Sequence, residues 1–184
     1  MCGRFYIDES AELQACVTEM NRSPLLSRFP RTDTVVRLGE AAPACVVPVV
    51  ASDRSGQRAV FPMKWGFTIR RSNGSTALLI NARLETAASK PVFREPWAAH
   101  RCAVPAAWYF EWGPPAAAAD EQARKQKYRI RPAGVHVTWL CGLYRLEHGL
   151  PVFTILTREP GKAIRFIHDR MPLILPGDCV PGWI

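Results

Sequence analysis

Short apolar runs broken by turn residues dominate this chain, and one stretch near the start follows the helical period instead. After Asp8, the residues Leu13, Cys16, Val17 and Met20 recur on one face with Glu9, Glu12 and Glu19 left for solvent. Asn21, Ser23 and Pro24 stop that helix. Ala44 to Val50 reads as a buried strand interrupted by Pro48 and entered through Pro43, and Ala59, Val60 and Phe61 form another short run. Ala77 to Ile80 and Arg101 to Pro105 read as further strands. Trp108 to Trp112 alternates, with Trp108, Phe110 and Trp112 on one face and Tyr109 and Glu111 on the other. Tyr128 to Arg131 alternates as an antiparallel strand should. Val135 to Tyr144 and Pro151 to Thr157 are strands joined by a hairpin turn at Glu147-His148-Gly149. Arg70 to Ser75 reads as a basic turn, Gly113 to Gln126 as a Pro/Ala-rich loop, and Phe93 to Trp97 as part of an ordered segment. Lys162 to Ile167 reads as a short amphipathic helix leading through His168-Asp169-Arg170 into the strand Leu173 to Leu175. The pattern predicts one α+β domain over residues 1–184, mainly antiparallel strands in a partly closed barrel with peripheral helices.

Length and composition narrow the class. A chain of 184 residues buries a substantial core, and 48% hydrophobic with 22% charged residues excludes a disordered chain. No apolar run approaches the roughly 20 residues a membrane helix needs, and the N-terminus lacks the basic and apolar regions of a signal peptide. A cytoplasmic, reducing location is expected. Cys2, Cys16, Cys45, Cys102, Cys141 and Cys179 are dispersed, with no C-x-x-C pair and no zinc-like spacing. Five of them are expected to be small buried hydrophobes, and no metal or cofactor is implied. The net charge of +8 favours a polyanionic partner without specifying one.

Cys2 is the exception among the cysteines. Removal of Met1 leaves a residue whose α-amine and thiol sit on adjacent carbons, a pair able to close an aldehyde into a five-membered thiazolidine. Glu111, embedded among aromatics, is either an acid whose pKa is raised by desolvation or a rim carboxylate paired to a cation. Asn81, at a strand-to-helix junction, is either a helix cap or a site residue. His168, followed by Asp169 and Arg170, titrates near neutrality and sits at another junction. Trp65, between Lys64 and Gly66, either stacks on a base or fills the core.

These segments together resemble the SOS response-associated peptidase (SRAP) family, the abasic-site processing proteins. The matching pieces are Met1-Cys2-Gly3-Arg4-Phe5, Lys64-Trp65-Gly66, Asn81 to Thr86, Arg101 to Pro105 with the following Glu111-Trp112, Phe153 to Thr157 and Ile167 to Pro172. The resemblance implies capture of abasic sites in single-stranded DNA, with Cys2 as nucleophile, Glu111 as acid–base group, His168 beside the sugar and Asn81 as a positioning amide. It implies that Arg4, Arg83 and Arg170 grip phosphates and that Trp65 and Pro43 offer an apolar surface to a neighbouring base. The working form is expected to be a monomer. Ala107-Trp108-Tyr109-Phe110-Glu111-Trp112 departs from the family's usual Gly-Phe-Tyr-Glu-Trp order, and Pro181 to Ile184 stands where a further strand is expected. An N-terminal-nucleophile hydrolase and a non-catalytic single-strand binder are the competing readings.

Overall fold

The computed structural model describes residues 2–114 and 125–184. The first half contains β1 (Arg4–Ile7), α1 (Ala11–Arg22), β2 (Gly39–Ala41), β3 (Val46–Ser52), β4 (Arg58–Trp65), β5 (Phe67–Arg70), β6 (Thr76–Leu79) and β7 (Asn81–Arg83). Then follow α2 (Leu84–Ala87), α3 (Pro91–Ala99), β8 (Arg101–Ala106), β9 (Trp108–Gly113), β10 (Gln126–Ile130), β11 (Thr138–Glu147), β12 (Leu150–Arg158), β13 (Met171–Pro172), β14 (Ile174–Leu175) and α4 (Val180–Trp183).

Five strands close a barrel in the order β12-β4-β3-β8-β11, with β11 pairing back to β12. Only the β12–β4 contact in that ring is parallel. Pro48 stands opposite Pro62 in the β3–β4 ladder, and the β3–β8 pairing covers only Val50 and Ala51. The absent amide of Pro48 therefore interrupts no bond to β8. A second antiparallel sheet runs β10-β9-β1-β2. Ala107 turns the chain from β8 into β9, and its amide donates to the Tyr6 carbonyl at 2.8 Å. The barrel and the inner face of this sheet share one core in which Phe5, Ile7 and Tyr109 meet Val47, Val49 and Trp65. Each such fully buried large side chain contributes about 1.5–3 kcal/mol.

The helix at the start is where the periodicity puts it. Leu13, Cys16, Val17 and Met20 are its buried residues, although the first turn begins after Ser10, whose amide is held by Asp8 at 3.0 Å. The hairpin between β11 and β12 turns on His148 and Gly149, both with positive φ (52° and 78°), the geometry a two-residue turn needs.

Several local expectations change. Lys162 to Ile167 forms a run of turns, with the amides of both Ile164 and Arg165 on the Gly161 carbonyl, so the chain bends before a helix can propagate. Asn81 lies in β7, paired with Ile155, and caps nothing; Arg83 precedes α2. Ala44 is not in a strand but in the turn behind Pro43, at φ 69°. Of the five cysteines expected to be buried, Cys45 is half-buried and Cys179 exposed, and all six cysteines are free thiols. The final residues form α4, docked through the Trp183 indole N–H to the Cys102 carbonyl at 2.9 Å. Most of the expected loop after Gly113 lies outside the described residues. Among those described, no helix is long and apolar enough to cross a membrane.

Candidate active site

Two neighbouring strands deliver the nucleophile and the carboxyl. In the β1–β9 ladder Arg4 faces Phe110 and Phe5 faces Tyr109, so the residue two before Arg4 arrives beside the far end of β9. Cys2 is fully buried there, with its thiol directed at the Arg4 carbonyl at 3.9 Å. Burial raises the thiol pKa well above its ordinary value, and the nearby Glu111 charge raises it further. Glu111 is itself only 3% exposed. Burial pushes its carboxyl up, and His168 is close enough to pull in the opposite direction. Tyr109 shares the inward face of β9; its phenol is raised by burial, then by Cys2 and Glu111. Cys2, Tyr109, Glu111 and His168 therefore form one electrostatically connected group.

Gly113 is the reason His168 can approach. A Cβ built on it would lie 2.9 Å from the Ile167 Cα and 3.0 Å from the Ile167 carbonyl oxygen. Those are backbone atoms, so a side chain at 113 would push the turn carrying His168 away. Gly113→Ala is expected to destabilise by about 1–3 kcal/mol, measured by thermal denaturation. An unchanged melting temperature would mean that the turn yields freely.

His168 Nδ1 faces two groups with opposite demands. The Arg170 amide donates to it at 3.0 Å, which requires a bare nitrogen. The Asp169 carboxylate lies 2.6 Å away, which suits a protonated one. Asp169 is largely exposed, so His168 Nδ1 sits between a backbone donor and a solvent-facing carboxylate.

The same turn forms a wall of a cleft of about 420 Å³ lined by Asn81, Arg83, Lys90, Thr157, Asp169 and Arg170. Both amide atoms of Asn81 are shut off from solvent with no hydrogen-bond partner among the described residues. Each such unsatisfied group costs roughly 1–3 kcal/mol until something supplies a partner. Arg83 and Lys90 are exposed at the cleft edge. Arg170 is not: its guanidinium grips Glu85 through both carboxylate oxygens, at 3.0 and 2.8 Å, and also reaches the Thr157 carbonyl at 2.6 Å. The Arg170 hydrogen bond in turn holds the Glu85 carboxyl below its usual range. A phosphate at Arg170 has to displace Glu85 first. Arg4 is likewise engaged, with Nε 3.1 Å from Glu40 and a bond to the Gly3 carbonyl at 3.0 Å.

Trp65 takes the core reading of its two alternatives, not the base-facing surface that the resemblance implied. Its ring is fully buried, 5.2 Å from Phe5 and 6.0 Å from Phe153, with the indole N–H on the Ile80 carbonyl at 3.0 Å. It is a core residue here and offers no face to a base. Pro43 is half-buried in a turn whose next residue, Ala44, donates to the Trp65 carbonyl at 2.8 Å. These contacts brace the strand end.

Sequence reading also missed residues. Lys90 precedes α3 and lines the cleft, and it drew no reading from the sequence. Tyr109 shares a face with Glu111 by simple alternation, and that was the available signal. Gly113 gave none, because its partner at 167 is remote in the chain.

The family model described as SOS response associated peptidase (SRAP) matches residues 1–184. The abasic site processing protein YoaM of Bacillus subtilis is 31% identical over 150 residues, covering 78% of this chain and 63% of that protein. YoqW of the same organism, also named an abasic site processing protein, is 28% identical over 191 residues, covering all of this chain and 80% of its own length. Among solved structures, a protein from Bacteroides thetaiotaomicron superposes with a TM-score of 0.74 at 23% identity, covering 99% of this chain and 80% of that one.

Proposed function

This chain belongs to the SOS response associated peptidase family, and we propose that it captures abasic sites in single-stranded DNA as a covalent thiazolidine on Cys2. The observation that carries this reading is the burial of Cys2 and Glu111 together, with the Glu111 charge felt at the thiol and the His168 charge felt at Glu111. The curated relatives named for abasic site processing supply the substrate class.

Hydrolysis of the Met1–Cys2 peptide bond, which lies outside the described residues, frees the α-amine. That amine is partly unprotonated near neutrality, whereas the buried thiol is held protonated, so nitrogen attacks first. The amine adds to the C1′ aldehyde of the ring-opened sugar to give a carbinolamine. Glu111 donates a proton to the departing hydroxyl, and water leaves to form the imine. The thiol then attacks the imine carbon, its proton passing through Glu111 to nitrogen as the ring closes. The net change is loss of one water.

His168 takes the proton from the C1′ hydroxyl of the closed sugar while Glu111 protonates the departing ring oxygen, so the C1′–O4′ bond breaks and the aldehyde opens. Asn81, with its unsatisfied amide, positions the sugar or its flanking phosphate. Arg83 holds phosphate at the cleft edge, and Arg4 and Arg170 do so once their carboxylate partners yield. The protein acts stoichiometrically, as a cytoplasmic monomer, using its own side chains.

Intact mass spectrometry after incubation with abasic single-stranded DNA tests this. The expected species is a one-to-one adduct on Cys2 that survives denaturant, lacks Met1 and is one water lighter than the sum of its parts. Free Cys2 with no adduct would overturn the capture reading.

A further inference from the structure

We propose that the outward face of the β10-β9-β1-β2 sheet is a stacking platform for the undamaged single strand flanking the lesion. This inference rests on the abasic-site reading for its ligand and on a separate set of residues for its geometry. Trp108, Phe110 and Trp112 alternate with the buried Tyr109 and Glu111 on β9 and are half-buried, Trp108 also packing one side against the core. Tyr6, opposite Trp108 on β1, lies parallel to it, with centroids 4.6 Å apart and planes at 10°. Cross-strand pairing sets Lys127 beside Trp112 and Arg129 beside Phe110 on the same face. The Lys127 ammonium sits 3.9 Å from the Phe110 centroid and 5.4 Å from that of Trp112, and the Arg129 guanidinium 4.7 Å from that of Trp108.

An aromatic row with interleaved cations is what a single strand needs: ring faces for bases and mobile charges for phosphates. In the free protein the cations lie over the rings and occupy the places of bases. On binding they swing outward to phosphates, a short movement for exposed, long side chains. Arg4 adds a third positive charge and Glu40, paired to Arg4 and Lys127, removes one. At the Trp108 end the face runs into a groove of about 320 Å³ lined by Tyr6, Ile7, Asp8, Glu9, Leu38 and Trp108. Its acidic rim repels phosphate and keeps the backbone on the Lys127–Arg129 side. Continuity with the reactive end is direct, because β1 carries Arg4 on this face two residues after Cys2.

The test compares two DNAs. An undamaged oligothymidine long enough to cover the sheet reports non-covalent affinity by fluorescence anisotropy. A trinucleotide with a central abasic site, too short to reach the platform, reports covalent capture alone. Phe110→Ala is expected to weaken oligothymidine binding at least about fivefold. The double variant Lys127→Gln/Arg129→Gln is expected to weaken it further and to lower the salt slope by about 1.4. Both should retain the wild-type melting temperature and capture the trinucleotide at the wild-type rate. Oligothymidine affinity and salt slope unchanged in both variants would overturn the platform, whether or not capture occurs. Failure of the wild-type protein to capture the trinucleotide would defeat the abasic-site reading and leave the anisotropy comparison standing on its own.

Discussion

Cys2→Ala is expected to eliminate the denaturant-resistant complex with abasic single-stranded DNA while leaving non-covalent binding within about twofold of wild type, since the sulfur is fully buried and presents no surface to the strand. The variant also separates the two halves of the proposed chemistry. After Met1 is removed, residue 2 still carries an α-amine, so the imine can form; without sulfur it cannot close. A hydride reductant should therefore trap a cross-link in Cys2→Ala that disappears when the reductant is omitted. Wild type needs no reductant, because ring closure consumes the imine. The buried environment strengthens the contrast. The Cys2 thiol is fully enclosed, and burial and Glu111 keep its proton on. Sulfur then acts second, on an imine already held beside it, and its effective concentration rather than its thiolate fraction sets the rate. An unreduced Cys2→Ala complex that survives denaturant would place the covalent bond on another residue and sink the mechanism.

The parts of this site that were legible in sequence share one property: their cause is local. Alternation along Trp108 to Trp112 needs only the pleat of one strand, so the inward position of Glu111 could be read from five residues. The helical period of Leu13, Cys16, Val17 and Met20 is local in the same way. What stayed hidden depends on partners brought from elsewhere. Trp65, between Lys64 and Gly66, left core filling and base stacking both open. Its environment is set by Phe5 and Phe153, which precede and follow it by many residues. Arg170 reads as a free cation until α2 places Glu85 across from it. Asn81 reads as a helix cap because a helix does follow. The parallel pairing of β7 with β12 instead draws it into a strand and leaves its amide unsatisfied. Closure of the barrel is equally non-local, since it rests on β12 pairing with both β4 and β11.

Glu111→Gln should slow adduct formation on the order of 10²- to 10⁴-fold, the usual worth of a positioned acid–base group, and at the same time stabilise the fold. Glutamine keeps the shape and removes the ionisable proton, so a loss of rate cannot be assigned to a cavity. The stability effect follows from the direction of the shift. Burial raises the folded-state pKa of Glu111 above the roughly 4.3 of an unfolded chain. Between those two values the folded state binds more protons than the unfolded state, and stability falls as pH rises. The contribution is fully present below the unfolded pKa and lost as pH climbs through the folded one. Glu111→Gln carries no such penalty, so its melting temperature should exceed that of wild type above this window and converge on it in acid. The rate should show the same group from the other side. Wild-type capture loses its proton donor as Glu111 ionises and falls on the alkaline side of that transition, while the slow residual reaction of Glu111→Gln lacks that limb. A variant that is more stable yet equally fast would make Glu111 a buried carboxyl that tunes the Cys2 thiol without transferring a proton. A variant that is slow but no more stable at neutral pH would mean that the Glu111 carboxylate is compensated in the folded state, with the proton donor to be sought at His168.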